Sequence, residues 1–161
     1  MANNAIQIFD GTPTTVISIT STLVTANFST SSTATVTQFD NSTDLWPLAV
    51  ATLRLDDGAG PWSAAPTVGT TIDLYAYIED IGGGTTDETA PTATLVKGAN
   101  YMGSFGPLYA VDEDQPNQCV ISLAGIEKCS FAIYNGSGAS IVYTGGGNIV
   151  TIEGFTYTPS A

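Results

Sequence analysis

The side chains in this sequence with chemistry to offer are carboxylates. They gather in three places, Asp56-Asp57, Asp87-Glu88 and Asp112-Glu113-Asp114, each set among turn-forming residues. Two acids held a defined distance apart around a cleft can work as a glycosidase or aspartic-protease pair, whereas adjacent acids in a loop form a solvated rim. Neither Asp10-Gly11-Thr12 nor Asp57-Gly58-Ala59 reproduces the Asp-Thr-Gly or Asp-Ser-Gly of an aspartic protease, and an aromatic content of 9% is low for a sugar-cleaving cleft. The chain has no histidine, which removes the commonest general base and with it Ser–His–Asp and Cys–His catalysis. Two cysteines without histidine cannot complete a tetrahedral zinc site, and no acidic group has the Asp-x-Asp-x-Asp-Gly spacing of an EF-hand calcium loop. The expectation is a chain with no catalytic residues, no metal and no cofactor.

Charge narrows the partners. Fifteen acidic residues face only Arg54, Lys97 and Lys128, a formal net charge of −12. Three scattered cations cannot neutralise a run of phosphates, so neither nucleic acid nor an anionic membrane surface is expected as a partner. The acidity is read as solubility and colloidal stability. Met1-Ala2-Asn3-Asn4 lacks the basic start of a signal peptide and no long apolar run follows, so the chain is expected to be made and kept in soluble form.

The elements that must position these groups are strands. The sequence is rich in Thr, Ser, Gly, Val and Ile, with 43% hydrophobic and 11% charged residues, a mixture suited to pleated, half-buried strands joined by turns. The clearest strand runs over Thr71–Glu79, where Ile72, Leu74, Ala76 and Ile78 alternate with Asp73, Tyr75 and Tyr77. Its period of two turns one face to the core and leaves the two tyrosines outward between carboxylates. Leu48–Leu55 is a second strand, and Val16–Ile19 and the alternating run Val24–Val36 suggest others.

The last third reads as an antiparallel meander of Cys119–Ser122, Glu127–Tyr134, Ala139–Thr144 and Asn148–Tyr157, broken at glycine-rich turns. In that meander a loop Leu123-Ala124-Gly125 places Cys119 and Cys129 opposite each other. A disulfide fits there geometrically, but two free buried thiols are expected in a chain without a secretion signal. In the last strand Phe155 and Tyr157 fall out of phase with Val150 and Ile152, which predicts a bulge at Gly154. About eight to ten short strands with no helix predict an all-β, antiparallel β-sandwich or jelly-roll-like domain over residues 13–161. Residues 1–12 are read as an extended N-terminal arm, with Ile6, Ile8 and Phe9 packing along a neighbour.

Large aromatics supply the remaining candidate contacts. Trp46 and Trp62 flank the Leu48–Leu55 strand beside Pro47 and Pro61. Each is suited to cap an end of the sandwich, stack on a sugar or anchor in a partner's pocket, with core capping expected of at least one. Tyr75 and Tyr77, turned outward, imply cover by the chain's own first third or by another subunit. The expected interface is therefore Ile6, Ile8, Phe9, Trp46, Trp62, Tyr75 and Tyr77.

Residues 48–157 resemble a family of small tailed-phage virion proteins that decorate or cement the capsid surface. The resemblance is carried by Val68-Gly69-Thr70-Thr71-Ile72-Asp73-Leu74-Tyr75-Ala76-Tyr77, then by Met102-Gly103-Ser104-Phe105. It continues through Glu127-Lys128-Cys129-Ser130-Phe131-Ala132-Ile133-Tyr134-Asn135-Gly136-Ser137-Gly138 and the glycine turn before the last strand. It implies a jelly-roll-like domain without enzymatic activity, made in the host cytoplasm and bound to the outer surface of the virion. Its partner there would be the major capsid protein, and it would bind as a homo-oligomer, a trimer ahead of a dimer. The competing expectation is a carbohydrate- or receptor-binding module of a virion fibre or adhesin, using Trp46, Trp62 and the acidic loops.

Overall fold

The computed structural model describes residues 5–9, 12–55, 60–78, 100–109, 117–143 and 147–159. Within them the chain forms ten strands: β1 (Ala5–Phe9), β2 (Thr14–Ile19), β3 (Ala34–Val36), β4 (Phe39–Asp40), β5 (Leu48–Arg54), β6 (Ile72–Ile78), β7 (Asn100–Phe105), β8 (Asn117–Ser122), β9 (Lys128–Asn135) and β10 (Ile149–Pro159). They build two antiparallel sheets. One is ordered β3-β2-β10-β5-β8 with β1 also on β10, and the other β4-β9-β6-β7. No helix occurs among the described residues, and the predicted all-β sandwich is the fold.

Alternation explains why the sheets face each other. Ala49, Ala51 and Leu53 on β5, Val150 and Ile152 on β10, and Ile72, Leu74 and Ala76 on β6 are all at 0% exposure. With Phe105, Phe131 and Ile133 they form one continuous core, the arrangement that buries one face of each sheet.

The expected meander is absent, because β8 pairs with β5 in one sheet, β9 with β6 and β4 in the other, and β10 with β5, β2 and β1 back in the first. Successive strands β8, β9 and β10 thus alternate between the two sheets. The Leu123–Ile126 turn itself forms, closed by the Ile126 N–H donating to the Leu123 carbonyl at 2.9 Å, with Gly125 at φ +79°, the third position that favours glycine. Since it joins different sheets, Cys119 lies opposite Ala51 and Cys129 opposite Ile78. Neither cysteine is in a disulfide. Burial holds the Cys119 thiol up at about 11, far from a reactive thiolate.

Other boundaries move as well. Of the expected strand Ala139–Thr144, the described residues 139–143 form none; among them only Ile141 makes isolated bridges, to Leu23 and Trp62. The run Val24–Val36 is interrupted, since Ala26 takes φ +60° and Thr33 closes a turn on Thr30 before β3 begins. The bulge expected at Gly154 lies elsewhere. The β5 register passes straight through Gly154↔Ala49 and Phe155↔Leu48. It is β2 that carries an extra residue, for Ile17 faces Val150 and Thr15 faces Thr151. Val16 between them is the bulged residue, which lets both Val16 and Ile17 reach 0% exposure.

The N-terminal segment supplies a strand to the chain's own sheet: Ala5 to Phe9 pair with Pro159 back to Phe155. The β5 pairing of β10 ends at Phe155, so the two termini form a ribbon that runs past the end of β5.

One exposed ion pair ties the small strand β4 to its neighbour. Lys128 Nζ lies 3.1 Å from Asp40 Oδ2, directly across the β4–β9 register. The Ser42 hydroxyl and backbone N–H both donate to Asp40 Oδ1. Those bonds first, and Lys128 after them, hold the Asp40 carboxyl down at about 2 from an ordinary 3.8. A depressed carboxylate stabilises the fold above its unfolded value, and that contribution is lost as pH falls from about 4 through about 2. Its size is small because the pair is solvated. Ser42→Ala is expected to return the Asp40 midpoint part of the way toward 3.8, since the backbone N–H of residue 42 and Lys128 remain, read by NMR titration of its carboxyl carbon, and Lys128→Met to move it less.

Candidate functional site

The outer face of the four-stranded sheet brings polar and aromatic groups together. On β6, Asp73, Tyr75 and Tyr77 point away from the core because Ile72, Leu74 and Ala76 point into it. β9 contributes Tyr134, opposite Asp73, and Ala132, opposite Tyr75. β7 contributes Ser104, opposite Asp73, and Tyr101, opposite Tyr75.

Strict alternation along β7 would send Tyr101 to the core side with Phe105. A bulge prevents this, since Leu74 faces Gly103 while Tyr75 faces Tyr101, leaving Met102 as the extra residue. Re-aiming one side chain is what such a bulge does. Met102 packs against the core and Tyr101 stands 59% exposed beside Tyr75.

The rings form a connected row. Tyr101 and Tyr75 meet edge to face at 5.6 Å between centroids, Tyr75 and Phe28 do the same at 5.2 Å, and Phe28 lies 4.9 Å from Tyr134. Phe28 comes from the first third of the chain, held beside β9 by its bridge to Tyr134 and by the Ser29 N–H donating to the Ile133 carbonyl at 2.8 Å. The cover expected over Tyr75 and Tyr77 is thus supplied within the chain. Tyr77 is only 8% exposed, packed with Phe28 and Ala132.

Polar groups run alongside. Asp73 Oδ1 accepts from the Ser104 hydroxyl at 2.7 Å and the Thr71 hydroxyl at 2.9 Å, and Ser104 shares a 2.7 Å bond with the Tyr101 hydroxyl. Neither of the Asp73 bonds uses Oδ2. Burial first, then the Asp73 charge and the neighbouring phenols, raise Tyr75 above its ordinary 10.0, so it stays a neutral donor. At the other end of the row Tyr77 forms the wall of a cleft of about 440 Å³ lined by Ser29, Thr30, Ser31 and Thr35.

The tryptophans lie elsewhere. Trp46 is half-buried, 6.4 Å from Phe39 and seated over Gly154. Trp62 is 3% exposed and packs in the core, its indole N–H without a hydrogen-bond partner among the described residues. Both cap the core, and the structure does not bring them together with Tyr75 and Tyr77. Ile6, Ile8 and Phe9 stand in β1 opposite Thr158, Thr156 and Phe155. Asp56-Asp57, Asp87-Glu88 and Asp112-Glu113-Asp114 fall outside the described residues, among which no group of three metal-binding side chains occurs.

A second, smaller cleft of about 300 Å³ lies between the Asn41–Pro47 loop and the Leu123–Glu127 turn. Asn41, 1% exposed, builds it: its amide donates to the Trp46 and Ile126 carbonyls at 3.0 and 3.1 Å, and its Oδ1 accepts the Trp46 N–H at 2.9 Å. Leu45 rises at its rim, 63% exposed and at φ +52°.

Tyr101, Ser104, Tyr134 and Phe28 were not legible as site residues. The alternation that exposed Tyr75 also marks Asp73, but the one signal for the bulge that aims Tyr101 is Gly103 beside it, and a glycine does not say which neighbour is re-aimed. Comparison with family models, with curated proteins and with solved structures finds no match, so the functional reading rests on residues and geometry.

Proposed function

We propose that this chain is a non-enzymatic structural protein of a phage particle. It binds the outer surface of the assembled capsid through the major capsid protein, as a homo-oligomer, and decorates or cements the shell. The observation that carries the reading is the terminal ribbon. Both ends of the chain meet in a two-stranded element, Ala5–Phe9 against Phe155–Pro159, that runs past the end of β5. A ribbon displayed beside a rigid sandwich is suited to lie along a neighbouring subunit by strand addition. The acidic composition agrees, because a clamp of net charge −12 does not adhere to DNA. A clamp that binds assembled shell and not its separate subunits stabilises the shell by mass action.

The test is copurification of the chain with intact particles in fixed copy number, and binding of the recombinant chain to assembled shells in preference to free capsid subunits. Deleting residues 1–9 removes β1 and leaves in place every residue described at 0% exposure. Shell binding is expected to weaken tenfold or more, about 1.4 kcal/mol. The melting temperature should fall by no more than roughly 4–8 °C, the equivalent of about 2 kcal/mol at this chain length. Undiminished shell binding by the truncated chain would remove the ribbon from the contact, and absence from purified particles would remove the proposal itself.

A further inference from the structure

We infer that the outer face of the four-stranded sheet is a binding site for a neutral oligosaccharide, stacked on Tyr101 and hydrogen-bonded by Asp73 and Ser104. This goes beyond capsid attachment and does not depend on it.

A sugar presents two kinds of surface at once, an apolar face of C–H groups and an equatorial fringe of hydroxyls that both donate and accept. Its receptor needs an exposed aromatic ring whose negative face meets the C–H groups, with a few fixed polar groups at the ring's edge. Tyr101 is such a ring, 59% exposed and braced edge to face by Tyr75. Beside it the chain Tyr101–Ser104–Asp73–Thr71 fixes three hydroxyls around one carboxylate. Asp73 Oδ1 is occupied by Ser104 and Thr71, which orients the carboxylate so that Oδ2 can accept from a ligand hydroxyl.

The site also has length. The ring row leads from Tyr101 through Tyr75 to the buried Phe28, and the edge of Tyr77 meets a cleft that Ser29, Thr30, Ser31 and Thr35 line together with Ala34 and Val36. That cleft, about 440 Å³, is of ligand size. Laid end to end, the two centroid spacings from Tyr101 to Phe28 reach at most about 11 Å, more than a single sugar ring requires.

Charge selects the class. Among the described residues of the row Asp73 is the only charged side chain, on a chain of net charge −12, so sialylated or sulfated glycans and phosphates are repelled. A protein partner would meet an apolar centre with a polar rim. Here a single ring stands out from a field of hydroxyls.

The experiment presents the full-length chain to a microarray of neutral hexose and N-acetylhexosamine oligosaccharides, with sialylated and sulfated glycans and a lysine-rich peptide set alongside. Hits are titrated calorimetrically against variants. Binding is expected to neutral glycans only. Tyr101→Ala and Asp73→Asn should each weaken it tenfold or more, Tyr101→Phe by about threefold or less because the ring remains, and Leu45→Ala not at all. Thermal unfolding of each variant separates lost binding from lost fold, and Tyr101→Phe against Tyr101→Ala decides the matter if Asp73→Asn does not fold. No neutral hit, a preference for acidic glycans or for the peptides, or affinity unchanged by both Tyr101→Ala and Asp73→Asn would overturn the inference. Capsid binding by these variants should be unaltered, which keeps the two functions experimentally separate.

Discussion

Gly154→Ala is expected to destabilise the fold by about 3 kcal/mol, far more than a glycine-to-alanine change in a strand ordinarily costs. Alanine should even help in such a place, because glycine weakens a strand interior by roughly 0.5–1 kcal/mol. The reason for the reversed sign is Trp46. A Cβ on residue 154 would overlap the middle of the Trp46 ring, at Cγ, Cδ2 and Cε3, and a ring overlapped at its fused edge cannot yield by a rotamer wiggle. The main chain on either side of Trp46 is pinned too, through the Asn41 amide bonds to its N–H and carbonyl. One of the two has to leave its seat. Urea denaturation should show the midpoint falling with little change in slope, and the melting temperature should drop by roughly 6–12 °C for a chain of this size. In a Trp46→Ala background the same glycine substitution should be neutral or slightly stabilising, so that the double-mutant cycle returns a coupling near 3 kcal/mol. An equal cost in both backgrounds would show that Trp46 is not what excludes the side chain.

That pair also marks how far the sequence could be read. The phase break between Ile152 and Phe155 was visible, and glycine at 154 suggested the place where the strand adjusts. The strand does not adjust there, because the glycine's missing side chain makes room for a ring about a hundred residues earlier in the chain. A contact of that separation leaves no local period to detect.

The strands that alternate were legible for the opposite reason. Ile72, Leu74 and Ala76 occupy one face because their own spacing puts them there, and β5 follows the same rule. β9 was legible as a strand but not as one buried on both faces. Ala132 and Ser130 are covered on the outside, with Phe28 packed onto Ala132, and no pattern within β9 itself distinguishes a covered face from an open one. Sheet membership was misread in the last third because a turn signal states that the chain reverses, not whether it reverses within a sheet or across a sandwich. The candidate site suffered most, since Tyr101 reaches it through a bulge at Met102 beside Gly103, and a lone glycine in a short strand marks a close approach of a neighbour, here Cys119, as readily as a bulge.

The polar interior offers the sharpest pH-dependent test. Asn135→Asp is expected to cost more than 4 kcal/mol at pH 7 and markedly less in mild acid. Asn135 has 0% exposure, and its amide nitrogen donates to the Leu23 carbonyl at 3.0 Å and the Ala139 carbonyl at 2.8 Å. Its Oδ1 accepts from the Ser137 hydroxyl at 2.6 Å and the Ser137 N–H at 3.2 Å. The network ties the Leu23–Ser29 segment, and so Phe28, to the end of β9. A carboxylate in the same volume would turn an oxygen toward two carbonyl oxygens with no water to separate them.

The variant must then either bury a charge among acceptors or carry a proton. Holding a proton at pH 7 on a group with an unfolded value near 3.9 costs about 4 kcal/mol, and at pH 4.5 about 0.8 kcal/mol. The sign follows from the raised folded-state value: the protonated variant is favoured in acid, and its stability is lost as pH rises. The gap between variant and parent should therefore narrow by about 3 kcal/mol between pH 7 and pH 4.5, where the parent's own Asp40 still holds its charge at a midpoint of about 2. Asn135→Ala supplies the contrast, because it abandons the same two carbonyls without introducing a titrating group, and its cost of roughly 2–4 kcal/mol should not change over that range. Urea midpoints for the three proteins at the two pH values decide the question, and a gap for Asn135→Asp that stays constant would mean that water reaches residue 135 and that the Leu23–Ser29 segment is not sealed against β9.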